Sequence, residues 1–438
     1  MSDCEQKSSA SKEEIVHPYH TTVVLVAIRV DTFPTSSNQH MRRLIVCLFT
    51  TVSPSGRRYL VGCPVNVLSP TRNSHPRRRS CPWPRCHSTT RQFSSSTSEE
   101  ASAALDFSIS LPDRLKEAFA ERHTDGVREI ISAELSRSEV ANPDAVSAAT
   151  SWINAIGDAV PSEQSGNALS MLNGCLAATV AQNGDTSQLA LELLQWAEEK
   201  FAPGVLTYSL AYTAVDDEST AAQVMKKAQH RSKKLAGSSR RKALAAARRK
   251  SVAKAHDGRD KLQALLGPDF AVLMETDDFV VVNKPAGTVC CHAHLTTSGK
   301  IGRKNADVSL VDALLHVNVP LSTINPEAQG LVHRLDRGTS GVCILAKTDH
   351  MHALLVAEFF LRRVQKTYHT LVAPCPRPLQ GSLDLPVGGR PARSDYSVIR
   401  QRGDDLAMVE MKTFTGRKHQ GELPMKCIAR VVNCCSPE

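Results

Sequence analysis

Residues 330–349 read GLVHRLDRGTSGVCILAKTD, and the organisation of the chain is worked out from this stretch. Its later part, VCILAK, is a continuous apolar run, the pattern of a strand buried on both faces. Its earlier part is a loop carrying His333, Arg334, Leu335 and Asp336, closed by a Thr339-Ser340-Gly341 turn. Downstream, DHMHALLVAEFFLRRV predicts a helix and KTYHTLVAP, at 366–374, a further strand. Upstream, FAVLMETDDFVVVNKPAGTV holds two β-branched and aromatic runs around Asp277-Asp278, which predicts a tight hairpin ended by the Pro285-Ala286-Gly287 turn.

One Asp between two Arg is, taken alone, as compatible with a surface salt-bridge cluster as with a site. The constellation is larger than that. NKPAG at 283–287, HRLDRGTSG at 333–341, LAKT at 345–348, RRVQKTYHTLV at 362–372 and TGRKHQ at 415–420 occur in that order. In order and spacing these blocks resemble the motifs of the RluA-like pseudouridine synthases, over residues 268–420. The resemblance implies an α+β catalytic domain with a mixed, mainly antiparallel sheet.

It also implies an activity. A uridine within RNA, ribosomal or transfer, would be detached from its ribose, turned and rejoined through carbon 5. No redox change occurs and no group enters or leaves, so no cofactor and no metal is implied. Asp336 matches the family aspartate, and a carboxylate serves either as nucleophile on the anomeric carbon or as base on a ribose proton. Both routes stay open on the sequence. Tyr368 matches the tyrosine lying against the flipped base, and Arg417 a motif arginine that pairs with Asp336 or with RNA. Arg334 resembles the arginine that fills the stack when a base leaves it. Lys366 and Arg337 complete the expected RNA-binding set, Lys366 as a phosphate contact. The alternative reading is a non-catalytic RNA-binding or assembly protein that descends from a truncated synthase.

The rest of the chain is organised by charge. Among 438 residues the net charge is +9, but it is segregated: residues 99–225 hold six basic and twenty acidic groups, and 226–438 thirty-four and nineteen. The acidic middle reads as helices, with caps at Ser110 and at Asp185 and Ser187, and over two units it resembles pentatricopeptide-type repeats. Packing or protein interaction is its expected role. Residues 226–262 form a basic linker helix, with twelve Lys or Arg and no acid between Lys226 and Lys254. Charge of that density gains free energy by displacing counterions from a phosphate backbone.

Residues 41–98 contain ten Arg and no Lys, Asp or Glu, the composition of an organelle transit peptide, with Arg91-Gln92-Phe93-Ser94 resembling a mitochondrial cleavage site. Residues 1–98 are therefore expected to be a leader for mitochondrial import, with plastid and cytoplasm as alternatives, and Met41 is a possible start. The longest apolar runs, such as Thr22 to Val30, are too short to span a bilayer as a helix. Thirteen Cys without repeated spacing argue against a disulfide framework. Cys290, Cys291, His292 and His294 are poorly spaced for zinc, since adjacent Cys strain a tetrahedral site. After Gln420 the chain reads GELPMKCIARVVNCCSPE, and Pro424 cannot donate to a central ladder, so 421–438 is expected to leave the catalytic sheet incomplete.

Overall fold

The computed structural model describes residues 124–137, 165–181, 186–236, 261–292, 308–389 and 391–417, along with residues 113, 114, 117 and 420 and short strands between 23 and 62 and at 430–431. The Ser110 cap, residues 237–260 of the basic segment, His294 and Pro424 lie outside them.

Apolar strands build the catalytic half. β6 (Ala271–Glu275) and β7 (Phe279–Lys284) pair antiparallel, as the two runs around Asp277-Asp278 predict. Thr276 sets the turn: its hydroxyl accepts from the backbone N–H of Asp278 and Phe279 at 3.2 and 3.1 Å. β8 (Ser340–Ala346) is buried from Gly341 onward and pairs antiparallel with β7, in register Val281 to Ile344. Burial of six successive residues, and so of both faces of the strand, explains why VCILAK has no polar alternation.

The remaining strands extend the sheet. β9 (Thr367–Ala373) pairs with β12 (Leu406–Thr413), β12 with β11 (Arg393–Arg402), and β11 with β10 (Gln380–Asp384), all antiparallel. Between β8 and β9 lies β1 (Val23–Leu25), parallel to β8 and antiparallel to β9. The order is β10-β11-β12-β9-β1-β8-β7-β6, with β13 (Arg430–Val431) pairing with β9 beyond this path. Four further short strands, β2 (Ile28–Val30), β3 (Leu44–Val46), β4 (Leu48–Val52) and β5 (Arg58–Gly62), form two separate ribbons within the stretch read as a leader. The sheet is mixed and mainly antiparallel, β1 with β8 being the parallel pair among the described residues.

Helices cover the sheet and extend from it. In the helical half, α1 (Thr124–Arg137), α2 (Ser165–Ala181), α3 (Ser187–Lys200), α4 (Val205–Ala214) and α5 (Glu218–Ala236) pack as consecutive neighbours. At the start of α3 it is Thr186 that occupies the cap position, and its hydroxyl donates to the Thr179 carbonyl rather than capping the helix. Ser187, expected as a cap, is the first helical residue instead, and Asp185 lies outside the described residues. The catalytic half adds α6 (Lys261–Leu266), α7 (Leu310–His316) and α8 (Asp349–Phe360). Thr348 caps α8 by accepting from Met351 N–H at 3.3 Å, which is why the helix begins directly after β8.

α8 joins the two halves. Ala357 and Leu361 belong to the apolar core built by α1–α5, while Met351 and Leu355 belong to the core beneath the sheet. α4, whose side chains are mostly buried, packs directly on α8. Arg363 adds an ion pair to buried Glu358 at 3.1 Å. No helix among the described residues is long and apolar enough to cross a membrane.

Candidate active site

The loop before β8 is fixed at three points, and each fixture is a consequence of sequence. Gly330 comes first, at φ +69° with its N–H on the Ser322 carbonyl at 2.9 Å. A Cβ there would stand 2.6 Å from the Ala346 carbonyl oxygen, so only glycine fits. His333 is next: its Nε2 accepts from the Ile344 N–H at 3.0 Å and its ring stacks on Phe359 at 4.5 Å. Burial, aided by the Lys366 charge, pushes its pKa down to about 3, which keeps the imidazole in the neutral form that can accept.

The third fixture brackets Asp336 itself. On one side, Leu335 exchanges two hydrogen bonds with Cys290: its N–H donates to Sγ and Sγ donates to its carbonyl, each at 3.4 Å. On the other, the Gly287 N–H donates to the Arg337 carbonyl and Arg337 Nε donates back to the Gly287 carbonyl, both at 2.8 Å. Lys284 lies beneath this pair and is fully buried. Its ammonium donates to the Pro285 and Thr288 carbonyls at 2.8 Å and reaches the Arg337 carbonyl at 3.5 Å. Burial lowers the Lys284 pKa, opposed by the neighbouring Cys290, Cys343 and Asp336. NKPAG is thus the bed on which HRLDRG lies.

Asp336 is only partly covered, as a group that must meet a substrate has to be, and the exposed residues Arg334 and Arg337 lie on either side of it in sequence. Tyr368 stands on β9, packed against the core that also holds Leu335, and is within the electrostatic reach of Asp336. Burial first and the Asp336 charge second raise the phenol to about 12, against a hydrogen bond with Thr413 that lowers it. At neutral pH the ring is therefore a protonated phenol, suited to stacking and to donating a hydrogen bond.

Lys366 precedes Tyr368 by two residues and so stands on the same face of the chain. Its Nζ donates to the Thr415 carbonyl at 3.3 Å, and burial brings its pKa down to about 8. Arg417 is placed by the same TGR loop: its Nε donates to the Pro391 carbonyl at 3.1 Å and its N–H to Gln420 at 2.9 Å. Gln420, nearly fully buried, also accepts from Thr415 Oγ1 at 2.6 Å and donates to the Arg393 carbonyl and Ser394 Oγ at 2.9 and 3.0 Å. One amide side chain thereby ties the loop to β11.

The sequence motifs mark Asp336, Tyr368, Lys366 and the arginines but do not mark Lys284, Cys290 and Gln420 as supports. A lysine closing the buried run FVVVNK was the available signal, because an ammonium at the end of such a strand needs carbonyl partners. Nothing comparable marked Cys290 or Gln420. The zinc reading at 290–292 meets a different arrangement, since Cys290 is occupied with Leu335 and His292 lies 3.9 Å from Asp312.

The braced loop with Asp336 and the strand with Tyr368 belong to one mainly antiparallel α+β sheet domain. Residues 278–420 match the family model described as RNA pseudouridylate synthase. The chain is 34% identical over 175 residues to "Ribosomal large subunit pseudouridine synthase D" of Zymomonas mobilis, covering 36% of this chain and 52% of that protein. It is 29% identical over 180 residues to "Dual-specificity RNA pseudouridine synthase RluA" of Escherichia coli K12, covering 38% and 75%. Against "RNA pseudouridine synthase 2, chloroplastic" of Arabidopsis thaliana it is 36% identical over 112 residues, covering 21% and 26%. Over this segment the chain is similar to the RluA-like RNA pseudouridine synthases. The match spans about half, or less, of the Zymomonas and Arabidopsis relatives.

Proposed function

We propose that the protein isomerises uridine to pseudouridine within ribosomal or transfer RNA, with Asp336 as the catalytic carboxylate. The observation that carries this reading is the match of residues 278–420, which hold both Asp336 and Tyr368, to the family described as RNA pseudouridylate synthase. The name of the Zymomonas relative supports ribosomal RNA as a substrate class.

Asp336 sits between exposed arginines, and a carboxylate there either attacks the anomeric carbon or takes a ribose proton. Arg334 enters the space that the flipped uridine vacates. Flipping costs a few kcal/mol, and a stacked guanidinium offsets part of it. Tyr368 lies against the everted base, Lys366 and Arg337 meet phosphates, and Arg417 completes the pocket wall. Each step moves only protons and the glycosidic bond, so the side chains suffice.

The Arg-rich stretch at 41–98 supports delivery to an organelle, with the mitochondrion as the proposed destination. The chloroplastic Arabidopsis relative supports an organellar setting. Fusion of residues 41–98 to a fluorescent reporter tests this, and cytosolic retention overturns it.

Asp336→Asn tests the chemistry. Pseudouridine formation is expected to fall by at least about 10³-fold, while RNA binding persists, because the amide keeps the shape and loses the charge. Full activity in that variant refutes the assignment. An unchanged pseudouridine map after gene deletion refutes the enzyme reading altogether.

A further inference from the structure

We propose that the exposed basic face of α5 is a second RNA-contact surface, gripping the phosphate backbone of the same RNA at a distance from Asp336. The identity of the partner rests on the synthase reading above, and the location rests on the helix itself.

α5 buries Val224, Ala228 and Ser232 and exposes Lys226, Lys227, His230, Lys233 and Lys234. These exposed positions recur at the spacing of one helical face, over about 12 Å of axis. Lys227 is ion-paired with Glu198 at 2.8 Å. Beyond that pair the chain itself offers little neutralisation, because no Asp or Glu occurs between Glu218 and Asp257.

A helix needing only solubility carries both signs, since opposite charges one turn apart stabilise it and like charges destabilise it by a few tenths of a kcal/mol per pair. From Lys226 to its end, α5 carries one sign. A polyanion relieves that repulsion and gains the entropy of the counterions it releases. α1–α4 make the contrast sharper: they lie in the stretch with six basic and twenty acidic residues, which repels RNA.

The placement is also specific. Ser232 Oγ donates to the Thr323 carbonyl at 2.5 Å, and Gln229 Nε2 to Asp349 Oδ2 at 2.8 Å. Asp349 begins α8 and holds Ser322 Oγ at 2.7 Å and the Thr323 N–H at 3.1 Å. α5 is thus docked at the end of β8, whereas the Asp336 loop precedes its start. Seven strand residues separate them, about 20 Å. Only an RNA reaching that far beyond the target uridine touches both.

The test uses the full chain and two probes, an unmodified tRNA transcript and a uridine heptamer. Lys226→Glu, Lys233→Glu and Lys234→Glu are combined, with the Lys→Gln triple as a milder companion that removes charge without reversing it. Expected for the Glu triple is a tRNA affinity at least about 10-fold weaker near 0.1 M salt, and a slope of log K against log salt shallower by about 2 to 3. The Gln triple should show a smaller loss in the same direction, and heptamer affinity should not change in either. Unchanged tRNA affinity and slope in both triples overturn the proposal and leave the face to a protein partner. Equal losses for tRNA and heptamer overturn it too, because they place the effect at the uridine pocket. Pseudouridine formation by the parent chain is measured separately. Lysine-dependent tRNA binding without any pseudouridine sinks the synthase reading and keeps this one, whereas pseudouridine formation with unaltered tRNA binding in the triples does the reverse.

Discussion

Two lysine environments in this molecule differ as much as the side chain allows. Lys284 is wholly enclosed beneath the Asp336 loop and spends its three N–H bonds on backbone carbonyls. Lys233 and Lys234, on α5, are exposed to solvent. One arrangement fixes geometry to fractions of an ångström and is invisible from outside. The other fixes nothing inside the protein and acts outward, over the range of a screened field. A net charge of +9 counts both alike, so what a basic residue does depends on how it is covered.

This contrast can be broken or sharpened by experiment. The largest effect falls where chemistry meets the braced loop: Asp336→Asn should cost at least about 10³-fold in turnover, and its loss of activity should come without loss of fold. Next is the brace. Lys284→Met keeps the volume and removes the donor from three carbonyls, and should cost about 2 to 4 kcal/mol by urea unfolding. An unshifted urea midpoint would show that the ammonium is dispensable.

A smaller effect is expected from Lys366, which lies between the two extremes. Its pKa in the folded chain is lowered from 10.5 to about 8. Between those pH values the unfolded chain holds the proton and the folded chain does not, so this group makes stability rise with pH across that window. Its contribution to RNA binding runs the other way, declining as pH passes about 8 and the cation is lost. Lys366→Arg should remove the decline, since guanidinium stays charged. Superimposable binding profiles from pH 7 to 9.5 would exclude a Lys366–phosphate contact. The smallest effect is at Lys347, whose Nζ reaches Glu275 at 2.9 Å and the Thr276 carbonyl at 2.7 Å at the β6–β7 turn. Lys347→Ala should cost about 1 kcal/mol or less, measured by thermal melting, because Glu275 is exposed.

The parts of the fold legible in sequence were those with strong local signals. β7, β8 and α8 announce themselves by apolar runs and a Thr cap, and the loop between them by its Gly, Ser and Thr. β10 and β11 carry alternating polar residues on an exposed part of the sheet, and their pairing was not read. Nor was the shared core: Ala357 and Leu361 look like any apolar helix positions until α4 is laid against them. The insertion of β1 beside Gly341 and Tyr368 is likewise a matter of long-range pairing, since three residues, VVL, specify no partner.

By itself, the sequence determined which groups could do chemistry: Asp336 between two arginines, Tyr368 on an apolar strand, Arg417 in a turn. Local pattern sufficed, because residue type and spacing fix loop, strand and helix over a few residues. Only the tertiary structure decided that Tyr368 lies within the electrostatic reach of Asp336, that Lys284 and Gln420 are supports, and that α5 turns its lysines outward. Those outcomes depend on burial and on contacts between residues far apart along the chain, and a carbonyl's distance from an ammonium is written in neither residue alone.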